Sequence, residues 1–266
     1  MYLNMDFSKP FLTLDDEQNK LFPLGLDVDF RESKIDLLPT ATQSFETMPG
    51  YDGEVSYDTS YSARLFDLVC NTPDGLSRAE KIVFQDKIAF YMNALKLCPQ
   101  PLLYQGRIYM VSINGSFQPT NNGTWFQQQL PLKASDPFGY APETKSIHAN
   151  STVLYNGTKE TGVVIEIGGA ELTNPSVTIN GKKIEYQGRI PLNTTVTIHT
   201  EKRTAIMMDQ NGQTTNVFGA VTGLELPILF DSASISESNG DFIPSSNVIL
   251  MGNPEQTQIR WREKFL

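Results

Sequence analysis

From Lys20 to Ser60 apolar and polar residues alternate in short stretches, as in Leu24, Leu26, Val28 and Phe30. Leu37-Leu38-Pro39-Thr40 and Met48-Pro49-Gly50-Tyr51-Asp52-Gly53-Glu54 interrupt them, and Pro-Gly and Asp-Gly steps favour tight turns. The pattern predicts extended strands joined by loops, then a strand over Tyr61–Cys70 with Leu65, Phe66 and Val69 among polar neighbours. Ser77–Leu97 departs from this texture. Ser77 and Glu80 have capping-box spacing, and Leu76, Ala79, Val83, Phe90, Ala94 and Leu97 fall on roughly one stripe. This predicts one amphipathic helix, docked on a sheet by that stripe and ended by Cys98-Pro99, with Cys98 as a buried apolar thiol.

Beyond the helix the period returns to two. Arg107–Ile113 and Trp125–Leu132 read as strands. So do Gly162–Ile167, Ser176–Ile179, Lys183–Gln187, Thr195–Thr200, Thr204–Asp209 and Leu224–Phe230. Six Asn-Gly pairs, beginning at Asn114, Asn122, Asn156, Asn180, Asn211 and Asn239, all lie after the helix. Asn-Gly suits the type I′ hairpin turn, whose two central residues need positive φ. The terminal segment Gln258–Leu266 places Ile259, Trp261 and Phe265 on one face and Arg260, Arg262 and Lys264 on the other. Short, evenly spaced strands without a helix predict a β-sandwich or jelly roll for this half.

Phe126–Pro142 separates the two textures. It begins as a strand and runs into Asp136-Pro137, Phe138-Gly139 and Ala141-Pro142, and proline removes a backbone donor and disfavours helix before it. The expected domains are therefore 1–136, carrying the helix at about 77–97, and 137–266, with Asp136, Pro137, Phe138 and Gly139 at the junction.

Composition limits the function. Hydrophobic residues make up 39% and aromatics 10% of 266 residues, enough for real cores. No apolar run approaches the ~18–20 residues of a membrane span. The N-terminus has neither a basic flank nor an apolar core, so folding in a cytoplasm is expected. Cys70 and Cys98 are too few for a disulfide scaffold and are expected as reduced thiols. The net charge is −9, and residues 1–60 alone hold twelve acids against four bases. With no basic cluster to displace counterions from phosphates, specific nucleic-acid binding is not expected.

Candidate chemistry is sparse. His148 and His199 lack metal-ligand spacing, and no nucleophile elbow or phosphate loop occurs. Asp15-Asp16-Glu17 and Asp52/Glu54 sit on polar turns where solvated acids are the ordinary outcome. No catalytic, cofactor or metal residue is therefore assigned, and the chain reads as a non-enzyme. Glycan binding by the C-terminal sandwich is the alternative, because such sites stack sugars on exposed aromatics. Trp125 and Trp261 read as core, leaving Tyr155 and Tyr186 as the weaker platforms.

The order of these pieces resembles the distal tail protein family of long-tailed phages, mostly those infecting Gram-positive bacteria. Four places carry the likeness. Leu38-Pro39-Thr40 followed by Met48–Glu54 is similar to the family's proline and "IPGxxGE" region, and Ser77–Leu97 stands where the family has its single helix. Leu130–Tyr140 resembles the strand-to-linker "DP" signature, and Ile259–Leu266 resembles the aromatic and arginine-bearing last strand. The resemblance implies a mainly β chain: an N-terminal β-barrel-like domain with one α-helix and a C-terminal galectin-like β-sandwich. It implies a homo-hexameric ring at the tail tip in the virion, assembled in the host cytoplasm. The ring would join the tail tube protein to the tape-measure protein and receptor-binding proteins, passing DNA through its channel. An acidic first sixty residues would suit such a conduit, since negative potential lets DNA slide. A closed ring needs two different patches that meet, and the ring contacts are expected at Leu38, Pro39, Met48, Pro49, Gly50, Tyr51, Asp52, Gly53 and Glu54, an arm reaching to a neighbour.

Overall fold

The computed structural model describes residues 7–47, 54–116, 119–121 and 126–266. The chain is mainly β with a single α-helix, and it divides into two compact units, Asp6–Pro142 and Glu143–Phe265. The division falls beyond the Asp136-Pro137 step. Asp136, Pro137, Phe138 and Gly139 belong to the first unit.

The first unit is built on a closed barrel of seven strands. In spatial order these are Phe126–Ala134, Arg64–Asn71, Leu26–Val28, Lys20–Phe22, Leu12–Asp15, Gln100–Tyr104 and Arg107–Ile113. Phe126–Ala134 closes the barrel by pairing twice. From Gln127 to Ala134 it runs antiparallel to Arg64–Asn71, and Leu132–Ala134 also pairs Val111–Ile113. Leu12–Asp15 and Gln100–Tyr104 form the parallel pair. Along Arg64–Asn71 the inward face is Arg64, Phe66, Leu68 and Cys70, and Leu65 alternates to the other face. The barrel interior holds Leu12, Leu21, Leu26, Phe66, Leu68, Leu102, Val111 and Leu132, all shielded from solvent.

The helix spans Arg78–Leu97. Ser77 caps it as the spacing predicts: its Oγ accepts from the Glu80 amide, and Glu80 accepts from the Ser77 amide. The docked face differs from the expected one. Ile88, Met92 and Leu95 are buried, with Phe84 and Tyr91 packed at the edge, whereas Val83, Phe90 and Leu97 are exposed. The helix is apolar on two sides. The side spaced i, i+4, i+7, i+8, i+11 from Phe84 carries two aromatics with Ile88, Met92 and Leu95, and it is this side that enters the core. Cys98 also departs from expectation and is exposed, because the chain turns extended at the C-cap ahead of Pro99.

The second unit is a β-sandwich. One sheet has six strands, in the order Lys145–Ile147, Thr257–Trp261, Val164–Gly168, Thr195–His199, Thr204–Met208 and Thr214–Asn216. The other has five: Ser151–Tyr155, Ser245–Met251, Ser176–Ile179, Lys182–Tyr186 and Val221–Thr222. Alternating inward residues interdigitate between them, among them Ile165, Ile198, Ile259 and Trp261 against Val177, Ile184 and Ile249. The Asn180-Gly181 hairpin forms as predicted, with φ of 48° and 80°. The Asn180 side chain does more than turn the chain: its amide donates to Asn247 Oδ1 at 2.8 Å, and its oxygen accepts from the Val248 amide.

The terminal segment corrects a simple expectation. The strand stops at Trp261, and Arg262, Glu263 and Lys264 are all buried rather than forming a solvated basic face. Lys264 Nζ contacts Glu201 Oε1 at 3.0 Å, and its amide donates to the Tyr155 hydroxyl at 2.9 Å. Glu263 accepts from Lys145 and from Asn156 Nδ2. Burial pushes both carboxyls up, but the charge and hydrogen bond of Lys264 at Glu201, and the hydrogen bonds of Lys145 and Asn156 at Glu263, outweigh it. Both stand below the ordinary 4.5. Their stabilisation is therefore complete above pH 4.5 and is lost as pH falls through the lowered folded-state values. Calorimetric unfolding of the sandwich between pH 6 and 3 is expected to show a smaller loss of stability in Glu263→Gln than in the parent; equal losses would rule out this linkage.

The two thiols differ in a way chemistry can read. Burial pushes Cys70 up to about 12, while Cys98 is exposed. An aromatic disulfide reagent is expected to titrate one thiol in the native protein and two in denaturant. Two fast native equivalents would contradict the barrel packing.

Candidate assembly surface

Between Lys34–Ile35 and the barrel strand Arg64–Asn71 the chain makes a separate two-stranded hairpin, Ala41–Thr47 paired with Glu54–Tyr61. A β-bulge interrupts the register between Ser44 and Phe45. Every residue of Ala41–Thr47 is exposed, and among the described residues neither hairpin strand joins another sheet. The segment is an arm with unused backbone donors and acceptors along its edges. Such an edge is a template for pairing with another chain, and proteins usually cover or blunt it.

The root of the arm is pinned. The Ser62 amide donates to the Thr40 carbonyl at 2.9 Å, closing the hairpin base. Asp36 exchanges two bonds with Leu65, its amide donating to the Leu65 carbonyl and its Oδ2 accepting from the Leu65 amide. The fastening side chain is Arg64, which is 3% exposed. Its Nη1 donates to the Tyr109 hydroxyl at 2.7 Å and its Nη2 to the Leu37 carbonyl at 3.0 Å, while the guanidinium lies 4.9 Å from the Tyr109 ring centre. One buried cation thus ties the barrel strand that starts with it, a neighbouring strand, and the entry to the arm.

The segment expected at the junction packs on the same root. Asp136 accepts from the Tyr140 hydroxyl at 2.6 Å, bending the chain, and Phe138 meets the ring of Tyr61 edge-on at 5.5 Å. Gly139 runs against Tyr109 so closely that a Cβ there would stand 2.9 Å from the ring and hydroxyl. No larger residue fits. Of the expected contact residues, Leu38 is 62% exposed at the arm entry and Pro39 beside it is buried. Glu54 opens the second arm strand, and Met48, Pro49, Gly50, Tyr51, Asp52 and Gly53 lie outside the described residues, as does Trp125. Arg64 and Tyr109 escape a motif search, although strand parity signals Arg64, which shares its face with Phe66 and Leu68.

Elsewhere the described residues offer little chemistry. None of them form a group of His, Cys, Asp and Glu able to hold a metal, and no helix among them is long and apolar enough to cross a membrane. His199 is half-buried in its strand; burial, with Lys202 and Arg260 nearby, pushes it below the ordinary 6.5. The tyrosines considered for sugar stacking are core residues: Tyr155 is 0% and Tyr186 6% exposed. Inward strand parity puts them there despite the adjacent turns. Trp261 is buried as expected.

Replacing Arg64 with leucine strands the Tyr109 hydroxyl and the Leu37 carbonyl. The expected cost is about 2–4 kcal/mol in denaturant unfolding, with faster hydrogen exchange at the Ser62 and Leu65 amides. A variant as stable and as protected as the parent would show that the root is held by the backbone alone.

No family model and no curated protein matches the sequence. Solved structures do. The SPP1 Dit protein, described as a paradigm of the hub adsorption apparatus in phages infecting Gram-positive bacteria, superposes with a TM-score of 0.62 at 16% identity, over 90% of this chain and 94% of that one. The baseplate of phage P2 in its activated conformation with calcium matches with a TM-score of 0.46 at 10% identity, over 93% and 95% of the two chains. The likeness shows the fold: over 90% of its length this chain shares the architecture of the SPP1 Dit protein, the mainly β architecture expected from the sequence.

Proposed function

We propose that this protein is a structural hub of a phage tail tip. The observation that carries the reading is the shared fold with SPP1 Dit over 90% of the chain, spanning both units. The arm supports it, because a hairpin whose strand Ala41–Thr47 is exposed throughout suits an assembly element. In this reading six copies close into a ring through heterologous contacts, with the arm from Leu38 to Glu54 reaching to a neighbour. The ring joins the tail tube protein and tape-measure protein to receptor-binding proteins, and DNA passes its channel without specific binding. The protein does no catalysis, and assembly takes place in the host cytoplasm. The twelve acids of residues 1–60 would line or flank the conduit. Glycan binding is not favoured, since its candidate platforms Tyr155 and Tyr186 are buried.

Light scattering is expected to give a mass near six times 29.7 kDa, with rings bearing a central opening in negative stain. Because Ala41 and Tyr61 already pair, replacing residues 42–60 with two glycines closes the gap and keeps Tyr61 against Phe138. That variant is expected to be folded and monomeric. A hexamer that survives the replacement would remove the arm from the ring contact, and a parent that stays monomeric at all concentrations would sink the hub.

A further inference from the structure

The unexpected face of the helix is the largest unassigned feature of the first unit. Ile82, Val83, Phe90 and Leu97 are 54–77% exposed and lie within about 100° of one another around the axis, at 100° per residue. Together they form an apolar stripe about 22 Å long. Asp86 and Asn93 interrupt it, yet four large apolar side chains exposed on one helix face mark an interaction site.

We propose that this stripe is the seat for the arm of a second copy of this chain; the proposal rests on the ring reading and names its contact. Three observations select that occupant. Charge is the first. Residues 41–61 contain four acids and no base, whereas the helix carries Arg78, Lys81, Lys87 and Lys96 against Glu80 and Asp86. Arg78 and Lys96 flank one border of the stripe, which is the basic one; Lys87, whose Nζ donates to the Pro23 carbonyl, and Glu80 share the other, and Asp86 lies within it. Dimension is the second, since Ala41–Thr47 extends about 23 Å, the length of the stripe. The third is mutual exposure. Phe45 at the bulge is 56% exposed and Phe90 is 71% exposed, so the arm does not cover the helix of its own chain. An arm on one side and a seat on another make the unlike pair of patches a closed ring requires. Phe45 supplies the apolar anchor.

The test is a disulfide ladder. In a Cys98→Ser background, which removes the exposed native thiol, Phe45→Cys and Phe90→Cys are introduced singly and together and the protein is oxidised mildly. Both positions are exposed, so folding is not at stake, and light scattering is recorded on each sample. The double variant is expected to give covalent oligomers up to the mass of the native assembly, and each single variant to give none. An assembly of unchanged mass without a ladder would overturn the seat and leave the ring standing, with another tail protein as the occupant. Crosslinking by Phe90→Cys alone would overturn it in favour of helix against helix. A chain that is monomeric throughout would overturn seat and ring together. As a second measurement, Phe90→Asp is expected to abolish the oligomer at least tenfold in concentration beyond the parent's dissociation midpoint, with unchanged circular dichroism; retained assembly would contradict the proposal.

Discussion

The first unit depends on one buried cation. Arg64 occupies an inward position of a barrel strand, where a charge is costly unless its donors are used. Two of them are used, on the Tyr109 hydroxyl and the Leu37 carbonyl, and the guanidinium plane faces the Tyr109 ring. These contacts fix three things at once. They set the end of the barrel next to the closing strand, where Ala134 pairs both Arg64 and Val111. They hold the entry of the arm. Through Tyr109 they also define the surface on which Gly139 must run without a side chain. A hydrophobic residue at position 64 would fill the space but leave the arm entry unfastened.

The remainder of the unit follows from how its apolar surface is spent. The seven barrel strands pair on both sides by closing, and the helix packs its Ile88, Met92 and Leu95 into the same core. The arm and the second helix face remain open, and they differ in character. One is extended and acidic in sequence, with Phe45 exposed on Ala41–Thr47; the other is helical, with Ile82, Val83, Phe90 and Leu97 exposed. A protein built for solubility alone would carry neither.

Much of this was legible in the sequence where local chemistry decides the outcome. The capping box at Ser77 and Glu80, the Asn180-Gly181 turn, the alternation of the sandwich strands and the single helix all depend on neighbours within a few residues. What was hidden depends on long-range choice. The helix offers two apolar faces, and nothing local says which one the barrel will take. Lys264 looks like a surface residue by alternation, yet Glu201, distant in sequence, gives it a partner inside. Asp136–Gly139 reads as a stop, and it is one, but its tertiary role of packing on Tyr61 and Tyr109 comes from strands that the local pattern does not connect. The arm was expected at Leu38–Glu54, of which Met48–Gly53 lie outside the described residues, while Arg64, its fastening, was missed because arginine does not register as a core residue.

The arm also bears on why the root is so heavily tied. A two-stranded hairpin by itself is marginally stable in water, and this one adds no strand to a larger sheet and buries none of Ala41–Thr47. Its order within one chain must come from its ends, through Ser62 on Thr40, Asp36 on Leu65 and Arg64 on Leu37. Ordering the arm costs conformational entropy, which these ties at its base offset. On the ring reading they would also favour association, because a pre-aimed arm loses less freedom when it docks. A buried arginine at the root and an uncovered strand beyond it are therefore two halves of one device, stiff where it leaves the barrel and unsatisfied where it meets a partner.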